Sequence, residues 1–172
     1  MPKVSQSKQK NQPRTAIKSG KPLYQSKPMS PRSRVISLVL GDSLCFLVFA
    51  ALGSTQHGKT TGITLLTLPY IISVAIPFLL GWFLVSPFIG AFKADIALKP
   101  KQMIIRTALS WLAAWPVAML IRWLLVDRLS APAVSFGSFL SFAIVAFIFN
   151  MALLLIWRGP FALNNELRSR NF

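Results

Sequence analysis

The amino-acid sequence predicts an all-α integral membrane protein: a four-transmembrane-helix bundle preceded by a disordered basic N-terminal tail. Three observations predict it. The 172 residues are 53% hydrophobic and 13% charged, against about 25% charged in an ordinary soluble domain. The charge is one-sided, with nineteen Lys and Arg facing four acids, and nine of those cations lie within residues 1–34. The remainder holds four long apolar runs, each near the roughly 20 residues that cross a hydrocarbon core of about 30 Å.

Residues 1–34 read as a disordered tail. Pro2, Pro13, Pro22, Pro28 and Pro31 interrupt them, and they hold six Ser, no acid and no apolar periodicity. Such a segment buries too little apolar surface to offset the entropy of ordering it. A plastid transit peptide would share the Ser-rich, acid-poor composition, but Lys outnumbers Arg and no amphipathic stripe is present.

The transmembrane domain covers residues 35–158. Its first span is expected over about 35–53. Ala51 and Gly53 resemble a signal-peptide cleavage pair, yet the run is too long and contains Asp42, so a retained helix is expected. The remaining spans are expected over about 63–86, 104–126 and 136–157, followed by a short cytoplasmic C-terminal tail over 159–172. Positive residues favour the cytoplasmic side. The N-terminal tail, the connection holding Lys93, Lys99, Lys101 and Arg106, and the end holding Arg158, Arg168 and Arg170 would share one side. Only Lys59, Arg122 and Arg128 fall opposite. Both termini are therefore expected in the cytoplasm, with a bacterial inner or a thylakoid membrane as the host.

Helices in lipid associate through small residues that permit close approach. Span two repeats Pro69, Ser73, Pro77 and Gly81 at four-residue spacing, which keeps them on one slowly drifting face. Span three offers Arg106, Ser110, Ala113, Ala114 and Val117, and span four Ala143, Ala146 and Asn150. Pro69, Pro77 and Pro116 are expected to kink their helices or to free carbonyls that need other partners.

An ionisable group within a span is a functional candidate by default. Asp42 stands about 10 Å from the cytoplasmic end of span one at 1.5 Å per residue. Arg106 and Asn150 are candidate companions, in a proton- or cation-accepting site or in a purely structural pairing. A second candidate group lies at the opposite end: His57, which titrates near neutral pH, Arg122 and Asp127. A polar surface loop accounts for His57 equally well, and Arg122 is deep enough to need a partner or to snorkel outward.

Catalytic chemistry is not expected. One Cys and one His are too few for a structural zinc site. No nucleophile elbow, phosphate-cradling Gly-rich loop or close carboxylate pair is present. No cofactor or metal is expected, and cations segregated from the apolar part argue against a nucleic-acid partner.

The ordered series Gly41-Asp42, Gly53 with His57-Gly58, and Pro77-Phe78-Leu79-Leu80-Gly81-Trp82 resembles the domain-of-unknown-function family 3054. Trp115-Pro116, Arg122 and the closing Trp157-Arg158 fit the same outline. The resemblance covers about residues 35–158 and implies a small four-helix membrane protein, bacterial or from a photosynthetic organism. It also implies that the aspartate, the histidine and the Pro-Phe-x-x-Gly-Trp segment recur. Ser54-Thr55 stands between the glycine and His57, where the resemblance implies a basic residue.

Two functions remain open. One is a non-enzymatic accessory or assembly protein that binds a membrane-protein partner or a second copy of itself. The other is an oligomeric transporter or channel subunit for an ion, proton or small solute. In both, the lipid bilayer is the environment, and the basic tail suits anionic lipid headgroups at about 1 kcal/mol per cation.

Overall fold

The computed structural model describes residues 29–56, 66–127 and 135–170. All regular structure among them is helical: α1 Pro31–Gln56, α2 Leu68–Ile89, α3 Pro100–Arg122 and α4 Phe136–Arg170. A short 3-10 turn, Ile96–Leu98, lies before α3, and a π-helical turn, Trp123–Asp127, follows it. Each of the four long helices is apolar and long enough to cross a membrane. The protein is therefore a multi-pass, all-helical membrane protein. Most of the basic tail, His57 and the start of the expected second span fall outside the described residues.

The outward faces are apolar in the way lipid requires, with Leu40, Leu44, Leu84, Leu112, Ile144 and Ile148 all exposed. The interior is aromatic. Phe46, Phe78, Trp82 and Trp111 are fully buried. Their ring centroids lie 5.5 Å apart for Phe46–Trp111, 6.2 Å for Phe46–Trp82 and 6.4 Å for Phe78–Trp111. A buried indole N–H needs an acceptor, and two find theirs on the backbone of α4. Trp111 Nε1 donates to Phe147 O (2.9 Å) and Trp115 Nε1 to Ala143 O (3.1 Å), which pins α3 to α4.

Of the expected small-residue faces, that of span four is buried throughout, at Ala143, Ala146 and Asn150. On α2 only the second half of the expected row faces inward: Pro77 and Gly81 are buried, while Pro69 and Ser73 are exposed and Ile71 and Ala75 take the inward positions instead. A Cβ on Gly81 would stand 2.8 Å from the backbone of Ala118, so glycine sets the closeness of the α2–α3 crossing. On α3, Ser110 and Ala114 are buried, Arg106 and Val117 half-buried, and Ala113 and Pro116 exposed. Four-residue steps advance 400° per repeat, so such a row drifts off any fixed face. Pro77 and Pro116 both lie inside continuous helices.

At the end of the bundle holding the N-terminus of α1, the helices outrun the apolar spans. α1 begins at Pro31 rather than 35, and α4 continues through Pro160 to Arg170 rather than stopping near 157. A second small core forms there from Leu38, Ile96, Ala97, Met103 and Ala162, flanked by Phe92 and Phe161. Packing of Ala162 and Asn165 keeps the last turns of α4 helical past a proline that would otherwise end them.

Candidate functional site

Asp42 lies where α1 passes from the aromatic core to the second core, and it is 0% exposed. Its partner is Arg158 of α4, equally buried. The guanidinium grips the carboxylate in a fork: Nε donates to Oδ1 (2.8 Å) and Nη2 to Oδ2 (2.5 Å). Such a planar two-point match is specific to arginine. Trp82 of α2 adds a third donor, Nε1 to Oδ2 at 2.9 Å. The other guanidinium nitrogen, Nη1, donates to Ala91 O at 2.9 Å and lies 3.5 Å from Thr107 Oγ1. The rings of Trp82 and Phe92 stand 5.0 and 4.9 Å from the guanidinium carbon. One arginine thus ties α1, α2, α3 and the α2–α3 connection to α4.

Residues flanking the pair are arranged to allow it. The indole of Trp157 lies directly over Gly41, in space that any Cβ there would occupy. The dipeptides Gly41-Asp42 and Trp157-Arg158 therefore dock as a unit, and Trp82 reaches the same place from the Pro77–Trp82 segment.

A family model described as a protein of unknown function (DUF3054) matches residues 39–161, a stretch that contains all five of these residues. The chain belongs to the DUF3054 family. The match leaves out the basic tail and the last turns of α4. No curated protein and no solved structure matches the chain.

In this DUF3054 member the other residues expected around Asp42 have separate partners. Arg106 Nη1 donates to Ile89 O (2.7 Å), at the C-terminus of α2. Asn150 Nδ2 donates to Ala146 O on its own helix (2.9 Å), and its buried Oδ1 has no partner among the described residues. Arg34 Nη1 of α1 donates to Ala94 O (3.4 Å). Arginines from α1 and α4 thus each hold a carbonyl of the connection between α2 and α3, and Arg106 of α3 holds the last carbonyl of α2 just before it. That connection turns at Gly90, whose φ of 80° is left-handed and favours glycine.

Of the opposite group, the structure places Arg122 with its guanidinium carbon 3.9 Å from the Phe142 ring centroid. Arg122 also lines a cavity of about 190 Å³ with Phe49, Ser54, Tyr70 and Val74. His57 and the Asp127 side chain lie outside the described residues. Among those described, no His, Cys, Asp and Glu cluster could hold a metal ion.

Sequence reasoning missed Arg158 and Trp82 as site residues. Arg158 closes an apolar run of more than twenty residues, where a cation reads as a topological flank. The available signal was charge balance: a single acid in span one needs a cation at matching depth, and Arg158 stands beside a tryptophan as Asp42 stands beside a glycine.

Proposed function

We propose that this protein is a non-enzymatic membrane accessory or assembly factor that acts by binding other membrane components, with both termini in the cytoplasm. The observation that carries this reading is the complete internal use of Asp42. Its two oxygens accept three hydrogen bonds from Arg158 and Trp82. A carboxylate engaged in this way is poorly suited to exchange protons or cations along a pathway. The aromatic filling of the bundle interior supports the same reading, because a conducting route needs polar lining or water. Support for the orientation is the cation distribution, densest in the tail and at the ends that gather around Arg158.

The oligomeric transporter is the second reading. The Arg122-lined cavity between all four helices favours it, as a place where a small solute could rest.

Affinity purification of the full chain from native membranes in mild detergent tests the first reading. A stoichiometric membrane partner, with no flux of protons, cations or small solutes through the purified protein in liposomes, is the expected result. Solute movement lost in an Arg122→Gln variant would overturn it in favour of the second. Protease protection with the N-terminus on the outside would overturn the orientation.

A further inference from the structure

A groove of about 440 Å³ runs between the first turn of α3 and the extension of α4, lined by Leu98, Lys99, Lys101, Gln102, Leu163 and Glu166. We infer that it seats the headgroup of an anionic phospholipid. Three features point to that occupant. The first is charge. Lys99 and Lys101 are exposed, while Glu166 is paired with Arg170 at 2.5 Å, so the groove presents net positive charge. The second is depth. Ile104 and Ile105, one turn further along α3, are exposed and apolar, which puts Lys99 and Lys101 at the edge of the hydrocarbon, where lipid phosphates lie. The third is amphipathy. Leu163, half exposed, and Leu98 extend the apolar surface into the groove, matching the first acyl-chain carbons below a charged head.

The alternatives on this chain fit less well. Residues 1–28 carry seven cations and no acid, so the tail would meet like charge. A second copy has few acids to offer at this end, since Asp42 is buried and Glu166 paired, which leaves Asp95 as the one exposed acid without an ion pair among the described residues. Basic pockets beside membrane helices recognise anionic headgroups by this chemistry. The inference does not depend on which side of the membrane the groove faces, nor on the accessory reading.

Native mass spectrometry of the full chain, with phosphatidylglycerol and phosphatidylcholine in equal amounts, tests it. Retained phosphatidylglycerol is expected, and its occupancy should fall about tenfold in the Lys99→Gln/Lys101→Gln double variant. The Lys99→Arg/Lys101→Arg double variant should keep the lipid, and the tail control, Lys8→Gln/Lys10→Gln, which removes the same charge from the basic tail, should lose clearly less of it than the groove variant. Equal retention of both lipids, undiminished binding in the Lys99→Gln/Lys101→Gln variant, or equal loss in the tail control would each overturn the inference. Displacement of the lipid by millimolar inorganic phosphate alone would reassign the groove to a soluble phosphate and overturn the lipid assignment.

Discussion

The indole of Trp157 rests on the bare Cα of Gly41, one residue along from the Asp42–Arg158 pair on both helices. The contact sets how near α1 and α4 can come, and that spacing lets a short guanidinium–carboxylate fork close between them. Gly41→Ala should push the ring away and destabilise the protein by about 1–3 kcal/mol. Trp157 Nε1 makes no hydrogen bond among the described residues, so Trp157→Phe removes bulk without stranding an acceptor. The double variant should therefore be more stable than the sum of the two single changes predicts. Thermal unfolding in detergent measures this, and strict additivity would count against the contact.

Breaking the ion pair should be more damaging than removing it. Asp42→Leu alone leaves Arg158 buried and uncompensated, a loss of about 3–5 kcal/mol. Asp42→Leu with Arg158→Met should recover most of that, because an apolar pair satisfies the same space. Denaturant titration of the four proteins closes the cycle. A double variant as unstable as both single losses added would contradict the pairing.

Two helix glycines should respond in opposite directions. Gly81→Ala drives a methyl against the Ala118 backbone and should lower stability by about 1–3 kcal/mol. Gly159→Ala meets nothing within 4 Å and should raise it by about 0.5–1 kcal/mol through helix propensity. Melting temperatures of both variants distinguish a close crossing from an open surface.

Arg106→Gln should loosen the α2–α3 connection selectively. It removes the charged donor at Ile89 O, worth about 1.5–3 kcal/mol for a hydrogen bond to a charged group. Hydrogen exchange over residues 89–94 should quicken, while exchange around Trp111 stays unchanged. Uniform acceleration would mean that Arg106 supports the whole bundle instead.

Four helices and an intramembrane aspartate were legible because hydropathy and an isolated charge are local properties of the chain. The partner was not. Asp42 and Arg158 are 116 residues apart, and only the depth at which α1 and α4 cross decides that they meet. Arg106 stood nearer in the expected span boundaries, yet a C-terminal carbonyl of α2 claims it. The extension of α4 was illegible for a similar reason. Arg158-Gly159-Pro160 has the composition of a helix end, and only tertiary burial beyond it, of Ala162 in the Leu38–Ile96 core and of Asn165, holds the backbone helical. Gly41-Asp42, Trp82 and Trp157-Arg158 were legible as parts of an ordered series, but their meeting at one point is a property of the fold.

The length of chain between Asp42 and Arg158 also has a meaning in time. At about 5–20 residues per second, a ribosome makes the acid some 6–23 seconds before its arginine. Throughout that interval the first helix carries an acid without the guanidinium that receives it in the finished fold, and the α2–α3 connection lacks one of its two arginine donors. Synthesis of the fourth helix completes both at once. A chain that stops short of Arg158 keeps an uncompensated acid inside the bilayer, which marks it chemically as unfinished.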